Sequence, residues 1–167
     1  LEMPENINDI VIMKGDESRL PTYHFAHAID DHFMGTTHVT RTDEWIASLP
    51  IHIQLFQTLG WKAPKYAHIS PIQKMDNGAR RKLSKRKDPE SSMEFYMESG
   101  YPADSLKEYL LNIANSNFDD WRRANPTALA KDFQVNLKKF NNSGGLLDMV
   151  KLDNVSKNVI AKYSAEE

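Results

Sequence analysis

Six of the nine side chains in ARRKLSKRK, residues 79–87, are cationic, in a chain whose formal net charge is only −2. A run of Lys and Arg is often a solvated loop, a localisation signal or a general polyanion patch. Lys82-Leu83-Ser84-Lys85 allows something more specific. Two ammonium groups three residues apart, with a hydroxyl between them, can close over a triphosphate and neutralise the charge that builds as pyrophosphate departs. Such contacts speed a reaction only when they are stronger in the transition state than in the ground state, so mobility of the segment matters. The spacing K-x-x-K is common by itself.

Two further stretches carry candidate chemistry. Arg41 follows a short β-type run and precedes Thr42-Asp43-Glu44-Trp45. Ligands of open α/β sheets bind beyond the carboxyl ends of the strands. A guanidinium there grips a carboxylate through two parallel hydrogen bonds, which a lysine cannot imitate. The plainer reading is a surface Arg41 paired with Asp43 or Glu44. Tyr23 can lend its phenol to the same crevice or be a half-buried core residue. In HFAHAIDDH, residues 24–32, a helix puts His24, His27 and Asp31 on one face, a set able to take a divalent cation. Yet His27 and Asp31 at i, i+4 also suit an ordinary helical contact. The spacing matches no established ligand motif, and no protein-bound metal is expected.

These residues need elements to hold them. Asp9 to Met13 reads as a buried strand, Tyr23 to Met34 as a helix, Thr37 to Thr40 as a strand and Tyr66 to Ile69 as another, an alternation that predicts an α/β layer with a parallel sheet. Between the last two, Asp43 to Leu49 forms a short helical turn, Pro50 opens a second helix and Gly60 ends it. Residues 73–87 read as a polar loop. Beyond residue 88 the β signal disappears, and helices are predicted at Pro89–Glu98, Ala103–Asn115, Asp132–Phe140 and Asp148–Lys162. Asp104 suits the helix dipole in a first turn, and Asp148 can cap the last helix.

With 167 residues, 40% hydrophobic and 26% charged, the chain has the makeup of a soluble protein of one domain or a little more. No apolar run approaches the ~18 residues of a spanning helix, and LEMPENIND lacks the features of a signal peptide. No membrane association and a cytoplasmic location are therefore expected. Zero cysteines exclude disulfides and thiolate metal sites. The near-neutral charge restricts any polyanion site to a local patch.

Three ordered blocks, LPTYHFAHAIDDHFMGTTHVTRTDEW at 20–45, SLPIHIQLFQTLGWKAPKYAHIS at 48–70 and KLSKRKD at 82–88, resemble the bacterial class I glutamyl-tRNA synthetases. The last matches the family's signature loop, Lys82, Leu83, Ser84, Lys85 and Arg86. GYPADSLKEYLLNIANSNFDDWRRANP at 100–126 resembles the helical region that contacts the tRNA stem. The resemblance implies activation of glutamate by ATP, with Mg2+ carried by the nucleotide, and transfer to tRNA(Glu). It also implies roles. Arg41 holds the side-chain carboxylate of glutamate, helped by Tyr23, with His27 less constrained. Residues Thr42, Asp43, Glu44 and Trp45 line the site. Glu44 and the backbone of Ile72 meet ATP, and Lys82 and Lys85 stabilise its phosphates.

The fold implied is the second half of a Rossmann-like catalytic domain, residues 1–88, followed by part of an α-helical stem-contact domain, residues 89–167. The His-φ-Gly-His motif of the first half and the anticodon-binding region have no counterpart in the sequence. A missing N-terminal half is thus an expected partner, and the chain alone is expected to be inactive. Lys74, Arg80 and Arg81 exceed the family pattern, with proximity to phosphate or tRNA as the only account. An RNA-binding module without catalysis, and a glutaminyl-tRNA synthetase-type relative, are the alternatives.

Overall fold

A computed structural model describes residues 5–164. The chain divides into two compact units, Leu1–His68 and Ile69–Glu167. That boundary falls at the end of a strand rather than at the shift in composition near residue 88.

In the first unit, α1 (Tyr23–Phe33) is followed by β1 (His38–Thr42), a 3-10 turn (Asp43–Ser48), α2 (Leu49–Thr58) and β2 (Lys65–Ile69). β1 and β2 are neighbours in a two-stranded sheet. Pro50 sits in the first turn of α2, where its missing N–H costs nothing. The helix ends in a Schellman pattern, Trp61 N–H to Phe56 C=O and Gly60 N–H to Gln57 C=O. α1 and α2 bury Ala28, Phe56 and His52, none more than 1% exposed.

Asp9–Met13 is not the buried strand expected. A strand needs a ladder, and this run meets only the turn that follows it. Thr22 N–H reaches Ile12 C=O at 2.8 Å and Met13 bridges Pro21, while Val11 stays 68% exposed.

In the second unit, the polar loop expected at 73–87 is instead mostly a hairpin of β3 (Gln73–Asp76) and β4 (Ala79–Lys82), antiparallel with Asp76 opposite Ala79. Its two-residue turn is Asn77-Gly78, with φ of +49° and +82°. That is the primed turn whose twist matches the strands, and Asn-Gly is its strongest sequence signal. A 3-10 turn at Pro89–Ser91 leads to α3 (Met93–Glu98), then α4 (Ala103–Ala114), α5 (Phe118–Ala124) and α6 (Met149–Ile160).

Tyr96, Leu106, Tyr109 and Leu152 form the core between α3, α4 and α6. The fully buried Tyr109 hydroxyl accepts from Asp148 N–H at 2.7 Å, and the Asp148 carboxylate caps α6 by accepting from Lys151 N–H at 3.1 Å.

α5 was not legible as a helix, although Asp119 and Asp120 open it and Arg122 and Arg123 close it, each favourable to the dipole. The helix expected at Asp132–Phe140 is replaced by 3-10 turns at Ala130–Asp132 and Leu137–Lys139. There Asn136 bonds forward to Lys138 N–H, and Phe133 turns in to pack edge-on against Phe118 at 5.0 Å. The hairpin is tied to the helices by backbone bonds, Gln73 N–H to Gly145 C=O at 2.8 Å and Leu147 N–H to Gln73 C=O at 2.7 Å.

Candidate functional site

Arg41 is the centre of the first unit's polar cluster. β1 presents it across to β2, where Tyr66 and His68, two residues apart, lie on one face of the strand. Arg41 Nε–H donates to His68 Nε2 at 3.0 Å, one terminal nitrogen reaches His52 Nδ1 at 2.8 Å and the other reaches the Trp45 carbonyl at 3.2 Å. The guanidinium stacks 4.8 Å from the Tyr66 ring. Trp45, from the 3-10 turn, packs 4.8 Å from Tyr23 of α1, and Tyr23 stacks on His27.

A guanidinium has donors and no acceptor, so its bonds dictate the protons of its neighbours. His52 Nδ1 must accept, which leaves the proton on Nε2, and that N–H donates to His24 Nδ1 at 2.9 Å. His68 accepts at Nε2 and therefore carries its proton on Nδ1. Burial and the nearby positive charge both favour the neutral imidazole: His52 is pushed down to about 3 from 6.5, by burial first and then by His27 and Arg41. His68 is lowered for the same reasons, burial ahead of Arg41. Burial also lifts the Tyr66 hydroxyl to about 12, which keeps its proton available for His27 Nε2 at 3.1 Å.

The guanidinium's hydrogen bonds thus end on neutral acceptors. Among the described residues, neither Asp43 nor Glu44 receives a hydrogen bond from it, contrary to the surface-pair reading. Both lie exposed in the first turn of the 3-10 segment, and Thr42 Oγ1 donates to Glu44 Oε2 at 3.2 Å.

The three residues considered for a metal are otherwise engaged. His24 faces His52. His27 Nδ1 lies 3.1 Å from Asp31 Oδ2, the i, i+4 contact, and its other nitrogen faces Tyr66. Among the described residues no group of three His, Asp or Glu converges to hold an ion.

The cations of the second unit fall into two sets. Lys82, Lys85, Arg86 and Lys87 are exposed at the end of β4 and on the turn after it. Arg81 instead makes a two-point contact with Asp88, 2.6 and 2.8 Å, and a third bond to Asp76 at 2.6 Å. Lys74 reaches Glu90 at 2.7 Å and Asp88 at 3.6 Å. These two basic residues answer carboxylates of their own chain, which accounts for the excess left unexplained by the sequence. Ser84 C=O accepts from Asp88 N–H at 2.9 Å, and Ile72 C=O accepts from Leu83 N–H at 3.0 Å, so the segment from Leu83 to Asp88 is a built turn. Concavity alone points elsewhere, to cavities of about 490 and 360 Å³ among the helices, both walled in part by Glu108 and Lys162.

Residues 2–144 match the family model of tRNA synthetases class I (E and Q), catalytic domain. The chain belongs to this class I synthetase family. Its curated relatives include the glutamate–tRNA ligases of Clostridium perfringens strain 13, 59% identical over 99% of this chain, and of Acetivibrio thermocellus, 53% identical over all of it. The chain spans about 30% of the length of these relatives.

Solved synthetases share the fold. A glutamate tRNA ligase from Elizabethkingia meningosepticum, determined in complex with its amino acid, superposes with a TM-score of 0.75 at 28% identity, over 93% of this chain and 33% of that one. The Elizabethkingia anophelis enzyme gives 0.75 at 27%, over 96% and 34%. Sequence reasoning about this synthetase segment selected Arg41, Tyr23 and Trp45, which the fold brings together, and missed His52, Tyr66 and His68. The i, i+2 pair on β2 and a lone imidazole inside the apolar PIHIQLF run were the available signals. Among the described residues no helix is long and apolar enough to cross a membrane.

Proposed function

We propose that this chain supplies part of the catalytic domain of a glutamate–tRNA ligase: the grip on the glutamate side chain and the cationic turn that acts on ATP. The observation that carries the reading is the Arg41 guanidinium, held in place by neutral imidazoles and a carbonyl while keeping its full charge. A cation so fixed reads a carboxylate and disfavours the isosteric amide, whose N–H groups would meet more donors.

Tyr23 and His27 flank the bound side chain, and Thr42, Asp43, Glu44 and Trp45 line its surroundings. Glu44 and the backbone of Ile72 face the nucleotide. The amino acid's α-carboxylate attacks the α-phosphorus of ATP, forming glutamyl-adenylate and releasing pyrophosphate. Lys82 and Lys85, with Leu83, Ser84 and Arg86 completing the signature turn, neutralise the charge on the leaving group. ATP enters with its own Mg2+. Residues 1–88 carry this chemistry and residues 89–167 the approach to the stem of tRNA(Glu). The setting is the cytoplasm, and an N-terminal half of the same enzyme completes the site.

The test is to mix the chain with a separately expressed N-terminal half of such a ligase and measure glutamate- and ATP-dependent pyrophosphate exchange. Exchange that needs both halves, and that falls by roughly 10²-fold in Lys85→Ala, supports the reading. RNA binding with no glutamate dependence, unaltered by Lys85→Ala, would replace it with a binding module.

A further inference from the structure

Asp88 stands at a helix start, before Pro89, where an aspartate ordinarily turns its carboxylate forward to cap the first turn. Here it makes no such cap. The carboxylate turns back, accepting from the Ser84 N–H at 2.7 Å, and is only 4% exposed despite its charge. A buried carboxylate is tolerated when it is paired and its lone pairs are filled. Arg81 contributes two bonds, Ser84 one, and Lys74 stands 3.6 Å away. Behind it, Ser91 Oγ donates to Asp88 C=O at 2.8 Å, and Arg81 is braced by Asp76 across the hairpin. One side chain therefore joins β3, β4, the signature turn and the start of the helices that follow.

We propose that Asp88 is a positioning residue for the signature cations: clamped by Arg81 and Lys74, it holds the Ser84 amide and so fixes the turn that displays Lys85 and Arg86. It needs no contact with substrate. The arrangement also divides the basic run by task, with Lys74 and Arg81 neutralising Asp88 and Glu90, and the exposed cations left to face a polyphosphate. The functional half of this inference rests on the proposed role of Lys82 and Lys85. The structural half, the hold on Ser84, does not.

The two halves are separable on the 167-residue chain, with inorganic tripolyphosphate as the probe. In Asp88→Asn the Ser84 amide is expected to exchange with solvent about tenfold faster or more, the scale of losing a charge-assisted hydrogen bond, while the Tyr109 and Leu152 amides of the core keep their protection. Tripolyphosphate affinity is expected to fall several-fold even though a negative charge has been removed. Screened electrostatics alone predicts the opposite sign, so tighter binding by Asp88→Asn, or unchanged exchange at Ser84, overturns the proposal. If the wild-type chain binds no tripolyphosphate, the phosphate role of Lys82 and Lys85 fails, and exchange at Ser84 alone decides for or against Asp88. Should Asp88→Asn not fold, Arg81→Lys keeps the charge but loses the two-point fork and is expected to free the Ser84 amide in the same direction, by less. An Arg81→Lys chain with wild-type exchange there counts against the clamp.

Discussion

At Arg41 a single guanidinium sets the protonation of two imidazoles, and one of them passes the constraint on to a third. Because His52 must accept from Arg41 and donate to His24, a proton added to His52 breaks one bond and places a second charge beside the first. The consequence for stability has a definite sign. The folded His52 is lowered to about 3 from 6.5, so between these values the unfolded chain binds more protons, and stability is lost as pH falls through that window. His27 and His68, also lowered mainly by burial, push the same way. Urea denaturation followed through Trp45 and Trp61 should show the midpoint falling from pH 6.5 downward. Nitrogen chemical shifts should report the Nε2–H form of His52 without titration above pH 4. A midpoint that is level between pH 7 and 4, or a His52 that titrates near 6.5, contradicts the relay. Asp88 adds a second, more acidic window: its carboxyl is held well below the usual 3.8, first by the Arg81 hydrogen bonds and then by the Ser84 amide, so the stability it contributes is full above that value and is lost only at lower pH.

Among the elements, packing between the hairpin and the helices depends on a close approach at Gly144. Its φ is +79°, and a Cβ there would lie 2.6 Å from the Pro71 carbonyl oxygen, a backbone atom. Gly144→Ala is expected to cost roughly 2 kcal/mol or more, seen as a drop of about 4–8 °C in the thermal midpoint. Tyr109→Phe keeps the ring in the core but leaves the Asp148 N–H without its acceptor, an expected loss of about 1 kcal/mol in urea denaturation with an unchanged slope.

Those helices were readable because Leu106, Tyr109 and Ile113 recur at helical spacing and Pro50 and Gly60 mark a start and a stop. The hairpin was missed although Asn77-Gly78 announces it, because its charged strands, QKMD and ARRK, give no apolar alternation. α5 is short, and its pattern matters only once Phe133 packs on it. At the candidate site, Arg41, Lys82 and Lys85 stood out by residue type and motif. His52, Tyr66, His68 and Asp88 act through partners distant in the chain or by turning the wrong way for their local motif, and local patterning carries no trace of that.

For the molecule as a whole, the chain is about 30% of the length of its relatives and presents large apolar side chains to solvent, Phe33 at 76% and Met34 at 80% exposed at the end of α1. The chain by itself is expected to give no glutamylation of tRNA(Glu) above background, with activity appearing on addition of the N-terminal half. An active lone chain would show that the site proposed is complete without a partner. The central claim is that Arg41 reads the acidic side chain, and it is most directly tested by pyrophosphate exchange in the reconstituted enzyme, with glutamate varied and Arg41 replaced by Lys. The account predicts a fall of roughly 10²-fold in kcat/KM for glutamate, because one ammonium cannot reproduce both the grip on His52 and His68 and the two-point hold on a carboxylate. An Arg41→Lys enzyme within about twofold of wild type, the scale of a near-neutral change, would contradict it.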